Sequence, residues 1–159
     1  MRRKDREVTD ITEIKDILDL CKTCHLAMVD NNMPYVIPLS YGYEMQDGTL
    51  TVYFHSAAEG KKIDILKNNK QVCFEMCCEG TPVFAKETPC NSGYYYSSVL
   101  GFGQVAFITS PQEKCDALNK IVLHQSGFSA NITPEQASSV CVYKVTTTDY
   151  TGKRKPQPS

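Results

Sequence analysis

The sequence has no run of apolar residues approaching the ~20 needed to cross a bilayer as a helix, which excludes a helical membrane span. Charge of one sign is also lacking. Lys and Arg number 17 and Asp and Glu 18, leaving a formal net charge of -1. No global pull toward nucleic acid or an anionic membrane is therefore expected. The charged opening MRRKDREVTD has no apolar stretch behind it, so no secretory signal is predicted and the cytoplasm is the expected compartment. The eight cysteines then read as reduced thiols rather than a disulfide framework. There is no internal repeat, low-complexity tract or interdomain linker.

What is present fits one globular domain. The 159 residues are 42% apolar and 22% charged, enough to bury a core without staples. Basic residues gather at Arg2, Arg3, Lys4 and Arg6 and again at Lys153, Arg154 and Lys155. Neither cluster carries the interleaved aromatics of a nucleic-acid surface, so both read as solvated charge. The domain spans 1–159, with its basic ends 1–8 and 152–159 expected to be flexible or peripheral.

Asp10 with Glu13 gives an N-cap and a capping-box partner, and Ile11, Ile14, Ile17, Leu18 and Cys21 share one helical face. His25 to Asp30 reads as a strand and Asn31-Asn32 as a tight turn. Pro34 to Tyr43 is apolar and β-branched, but Pro34 and Pro38 remove ladder donors, so part of it lies at an edge or faces a ligand. Gln46-Asp47-Gly48 is a turn before a strand from Thr49 to His55. A short helix through Ile63, Ile65, Leu66 and Lys67 and a strand from Gln71 to Cys77 follow. Thr81 to Asn91 reads as a loop. Tyr94 to Thr109 is a long strand whose Gly101 and Gly103 suggest a bulge or a barrel corner. Ser110-Pro111 opens a helix burying Ala117, Leu118, Ile121 and Val122, Thr133-Pro134 opens a shorter one, and Val140 to Thr147 is the last strand. Six strands in meander order with few helices predict a small closed or split barrel.

Cys21-Lys22-Thr23-Cys24-His25 matches the C-x-x-C-H haem-attachment pattern, but covalent haem is normally attached outside the cytoplasm. Cysteines packing as small apolar groups are the alternative. Zinc could use Cys73, Cys77, Cys78 and Cys90. Cys73 and Cys77, however, share one strand face, with Val72, Phe74 and Met76 on the other, and no second C-x-x-C knuckle exists. A redox C-x-x-C wants a helix N-terminus, whereas Cys21 lies near a C-terminus. No metal is expected.

The sharpest local signal is His55-Ser56-Ala57-Ala58-Glu59-Gly60-Lys61-Lys62. A strand ends in polar donors, a glycine frees the turn, and two lysines open a helix, which together favour an anion such as a phosphate. Neither a Walker loop nor a Rossmann fingerprint is present. His55 alone reads equally as a structural histidine. His25 and His124 suggest no ligand set, and no nucleophile elbow or telling carboxylate pair appears.

MRRKDREVTD, YVIPLSYGYE, VYFHSAAEGKKIDILKNN, YYYSSVLGFGQVAFI and TGKRKP together resemble the nitroimidazole-resistance branch of the pyridoxamine-phosphate-oxidase-related flavoproteins. The similarity runs in order along nearly the whole chain, and H-x-A-x-x-G-K-K is its most specific element. It implies a mainly β, six-stranded, Greek-key-like split barrel with a few flanking helices. It also implies a homodimer holding one FMN in each of two interface clefts. Val36, Ile37, Pro38, Leu39 and Ser40 match the strand whose backbone lies along the flavin ring. His55 and Ser56 match the pair beside the flavin or its ribityl-phosphate tail, and Lys61 and Lys62 match the phosphate clamp. Ser98, with Tyr96 and Val99, matches the strand that reaches the flavin across the dimer.

Two departures stand out. Many relatives have Arg where this chain has Ser97, and the basic-aromatic C-terminal elements that hold pyridoxal phosphate are missing, as is any tryptophan. Vitamin B6 synthesis is therefore not expected. The resemblance implies an FMN-dependent oxidoreductase taking electrons from a carrier such as NAD(P)H to a small electrophile such as a nitroaromatic. His55 is the one candidate for proton delivery. A non-catalytic protein that binds or stores flavin or a tetrapyrrole is the alternative, and a cysteine-ligated metal protein a third.

Overall fold

The computed structural model describes residues 2–155. Helix α1 (Ile11–Leu20) starts where expected because the Asp10 carboxylate accepts the Thr12 and Glu13 amides at 2.8 and 3.1 Å. Its buried face is Ile14, Ile17 and Leu18. Strands β2 (Thr23–Asp30) and β3 (Met33–Ser40) form a hairpin through Asn31 and Asn32. Both asparagines have positive φ, 48° and 68°, as a two-residue turn matching strand twist requires.

The segment expected as one strand from Pro34 to Tyr43 is two. It breaks at Tyr41, and β4 (Gly42–Gln46) joins a different part of the sheet. Tyr41 is fully buried, its hydroxyl donating to the Leu18 carbonyl at 2.8 Å and the Cys21 carbonyl at 3.1 Å. That anchor turns the chain inward. Gly42 follows because a Cβ there would lie 2.6 Å from the Ile121 nitrogen.

Asp47 and Gly48, with φ of 49° and 77°, turn β4 into β5 (Thr49–Ser56). Helix α2 (Lys61–Asn68) leads to β6 (Gln71–Val83), which runs past the expected end at Cys77 through an irregularity between Glu79 and Pro82. Residues 81–83 are thus strand rather than loop. A 3-10 turn at Pro89–Asn91 precedes β7 (Gly93–Ile108). Helices α3 (Pro111–Ser126) and α4 (Pro134–Ser138) follow, the latter with a full capping box between Thr133 and Gln136. Strand β8 (Cys141–Thr147) comes next.

Among the described residues the sheet has nine strands rather than six, seven of them in the order β3-β2-β6-β7-β8-β5-β4, the split at Tyr41 adding one. The two not expected are β1 (Glu7–Val8) and β9 (Tyr150–Lys155), which pair with each other, β9 pairing also with β7. Residues 152–155 and 7–8 are therefore built into the sheet, with Val8 7% exposed. The expectation for residues 1 and 156–159 lies outside the described residues. Strand β7 pairs with β9 at Tyr96–Gly101 and with β8 at Val105–Ile108. It bends between the two, as at a barrel corner. No bulge marks Gly101, which faces Phe74 in continuous register; its missing Cβ would meet that ring at 2.3 Å.

The result is a mainly β split barrel. Its interior holds Leu26, Val52, Phe54, Phe74, Met76, Val99 and Tyr143, all inaccessible to solvent. A second cluster, with Tyr53, Leu118, Ile121 and Val142, seals α3 and α4 onto the outside. Truncating a buried Phe such as Phe74 to Ala costs about 3–5 kcal/mol in cores of this kind.

Candidate functional site

The end of β5 and the start of α2 build an anion cradle. Gly60 caps α2 with φ of 125°, a conformation that favours glycine, and no atom lies within 4 Å of where a Cβ would be. Its carbonyl accepts the Ile63 and Asp64 amides at 2.8 and 3.2 Å. The Lys61 and Lys62 amides stand ahead of those bonds, at the positive end of the helix. Open space, backbone donors and two ammonium groups suit a phosphate.

The two lysines are not equivalent. Lys61 leans 3.4 Å from the Asp30 carboxylate and 5.0 Å from the centre of the Tyr35 ring. It therefore ties α2 to the β2–β3 hairpin. Lys62 acts on His55: desolvation first and the Lys62 charge second hold the imidazole pKa below its ordinary value. At neutral pH His55 is a neutral ring, able to give or take one hydrogen bond. Ser56 is buried and donates to the Ala57 carbonyl at 2.8 Å.

Strand β3 is the edge of the sheet, bonded only to β2 among the described strands. Val36, Pro38 and Ser40 point outward, whereas Ile37 and Leu39 pack half-buried on the core. Ile37 and Leu39 offer a ligand their backbone groups and only part of each side chain. The free edge explains how Pro34 and Pro38 are tolerated.

Tyr96, Ser98 and Val99 are not brought to this place within one chain. Strands β2 and β6 stand between β3 and β7, a separation of about 14 Å at ordinary strand spacing. The Val99 side chain is fully buried between Met76 and Gly152, whereas the neighbouring Tyr96 and Ser98 are part-exposed.

Register aligns a mixed outer face, in which apolar side chains flank the His25–Glu75 ion pair at 3.1 Å. Val36, Ala27, Cys73 and Phe102 form one row across four strands, and Pro38, His25, Glu75 and Leu100 form the next. Val36 is 55%, Phe102 49% and Leu100 38% exposed.

Two features near β7 were not read from the sequence. Arg154 Nε donates to Ser97 Oγ at 3.3 Å, and its guanidinium lies 3.5 Å from the Glu13 carboxylate. A cation thus stands beside Ser97 after all, supplied by β9. Lys153 Nζ sits 5.6 Å from the centre of the Tyr96 ring. Desolvation raises the Tyr96 phenol, but hydrogen bonds from Arg6 and Lys153 outweigh it and bring the pKa below its ordinary value. The two basic clusters and their missing aromatics meet through the β1–β9–β7 pairing.

Among the described residues no group of three or more His, Cys, Asp or Glu could hold a metal ion, and no helix is long and apolar enough to cross a membrane. A cavity of about 700 Å³ between α1, β4 and α3, where Tyr43 donates to Asp19 at 2.7 Å, shares no residue with the cradle.

Residues 10–154 match the family model for pyridoxamine 5'-phosphate oxidase. A structure from Bacteroides thetaiotaomicron VPI-5482, of a protein whose suggested role is 5-nitroimidazole antibiotic resistance, is 30% identical. It covers 93% of this chain and 86% of that one, with a TM-score of 0.79. The flavocytochrome Anf3 from Azotobacter vinelandii is 19% identical over 99% of this chain and 73% of its own, with a TM-score of 0.80. A FAD and heme binding protein from Mycobacterium smegmatis is 15% identical over 97% of this chain and 77% of its own, at 0.79. These last two share the fold. Among curated proteins none matches. The family match takes in the cradle, the edge strand and β7 alike, and on that ground the chain belongs to the pyridoxamine 5'-phosphate oxidase family, in the branch resembling nitroimidazole-resistance proteins.

Proposed function

We propose that this protein is a homodimeric, FMN-binding oxidoreductase that carries electrons from a reduced donor to a small electrophile such as a nitroaromatic compound. One observation carries the reading. The anion cradle at Gly60, Lys61 and Lys62 is tethered through Asp30 and Tyr35 to the hairpin of the unpaired edge strand β3. A phosphate at the cradle leaves the rest of a mononucleotide to run along that edge.

In this reading Lys62 supplies the main charge to the phosphate, and Lys61 joins it on leaving Asp30. The backbone of Val36 to Ser40 orients the ring. Neutral His55 exchanges a single hydrogen bond or proton beside it. When bound, the flavin supplies one- and two-electron transfer. The outer face with Val36, Phe102, Pro38 and Leu100 around the His25–Glu75 pair is the surface on which a second copy docks. That docking brings the partner copy's equivalents of Tyr96 and Ser98 toward the ring, across the gap a single chain cannot span.

A binding or storage role for flavin or a tetrapyrrole is the second reading. The same cradle and edge strand would serve it equally. The test separates them. The purified protein is scanned for visible absorbance, its ligand is released by heat and weighed by mass spectrometry, and NADH or NADPH is added anaerobically, then a nitroimidazole. FMN whose absorbance bleaches and returns supports the oxidoreductase. FMN inert to every donor supports storage. A colourless protein that ignores micromolar FMN overturns both.

A further inference from the structure

The C-x-x-C-H stretch is not used by the flavin reading, and its two cysteines do not face each other. Cys24 lies on β2, turned into the core opposite Met76 and fully buried. Cys21 caps the C-terminal end of α1 and is 1% exposed. Its sulfur instead meets that of Cys78, on β6 and far off in sequence, at 2.6 Å. A disulfide bond measures ~2.0 Å, so a small side-chain rotation closes the gap. Neighbouring Cys77 is exposed and sits on the opposite face of the strand, so it does not compete for Cys21.

Access is one-sided. Cys78 lines a cleft of about 350 Å³ with Leu20, Gly80, Tyr96, Ser97 and Arg154, and Cys21 is not among the lining residues. We propose that Cys21 and Cys78 form a reversible redox pair, with Cys78 the cysteine that meets a peroxide entering the cleft and Cys21 the one that resolves it. The Cys78 thiolate attacks one peroxide oxygen, the O–O bond breaks, and a sulfenic acid and hydroxide result, the hydroxide leaving as water with the thiol's proton. The Cys21 sulfur then attacks the Cys78 sulfur, the S–O bond breaks, and the departing hydroxide takes the Cys21 proton. Two thiols have been oxidised to one disulfide and one peroxide reduced to two waters. Burial, with Cys78 beside it, raises the Cys21 thiol pKa, which fits a resolving rather than a first-attacking role. The bond pins the end of α1 to β6 at the rim of the cleft.

The test uses the full chain. The protein is reduced, freed of reductant and treated with hydrogen peroxide. Remaining thiols are blocked with N-ethylmaleimide, and an unreduced digest is sequenced by tandem mass spectrometry. The expected result is loss of two of the eight thiols, one cross-link joining Cys21 to Cys78, and its reversal by dithiothreitol. The Cys78→Ser variant loses the cross-link and Cys77→Ser keeps it. Eight alkylated cysteines, a bond from Cys21 to Cys24 or Cys73, or a cross-link abolished by Cys77→Ser would overturn the assignment.

Discussion

Lys61 and Asp30 form an ion pair at 3.4 Å between the first residue of α2 and the last of β2, so the cradle contains its own competing anion. Removing that anion frees the ammonium for a phosphate. Asp30→Asn is expected to tighten FMN two- to tenfold, a gain of about 0.4–1.4 kcal/mol. Flavin fluorescence quenching on titration gives the affinity. Weaker binding in the variant contradicts the competition.

The lysines should be unequal in consequence. Lys62→Ala is expected to weaken FMN more than Lys61→Ala, because Lys61 starts from a pair it must give up. The double variant loses cofactor on purification, at about 1–3 kcal/mol per lysine, while circular dichroism is unchanged. Full flavin stoichiometry in the double variant removes the phosphate assignment.

His55 and His124 both have lowered pKa values, desolvation acting first in each, with Lys62 next for His55 and Lys22 for His124. Unfolded imidazoles, near 6.5, take up protons before the folded ones. Their contribution is thus complete above about pH 6.5 and declines as pH falls through the folded values. Urea midpoints between pH 7 and 5 should fall less steeply in a His55→Gln, His124→Gln double variant. Lys62→Ala should also raise the His55 pKa in an NMR titration.

Arg154 and Ser97 predict a charge conflict. Ser97→Arg sets a second guanidinium where the first already donates, at 3.3 Å from the present hydroxyl. It should lower the melting temperature, and adding Arg154→Ser should recover most of the loss. Equal melting temperatures for Ser97→Arg with and without Arg154 would show the two sites to be independent.

Gly42→Ala should destabilise by about 3 kcal/mol, since its Cβ would press on the helix backbone at Lys120 and Ile121 rather than on a side chain free to rotate. Chemical denaturation measures it. A loss under about 1 kcal/mol would mean that α3 shifts freely.

Local signals were the legible ones. Asp10, the Asn31-Asn32 and Asp47-Gly48 turns, the Thr133 cap and the Gly60-Lys61-Lys62 helix start each act within a few residues, and the structure has all of them where expected. Strand β9 was illegible because Gly152 is its one buried residue. Its stability comes from β7 and β1, which no pattern within TGKRK encodes. The break at Tyr41 was hidden for a similar reason, its cause being carbonyls on α1. Gly101 resembled a bulge because a missing side chain looks the same whether the backbone kinks or a ring needs the room. In the site, the phosphate cradle is contiguous and readable. The Arg154–Ser97 contact, the Cys21–Cys78 contact and the rows of the outer face depend on register between distant strands.

The pairing of β1 with β9 also bears on how the chain is made. Residues 7–8 emerge from the ribosome long before residues 152–153, the sheet partners they pair with. Strand β5 likewise waits for β8. Hairpins β2–β3 and β4–β5 can close early, whereas the remaining edges stay open through most of synthesis. Sealing the sheet is a late event with high loop-closure cost, so folding is expected to be slow for a chain of this size.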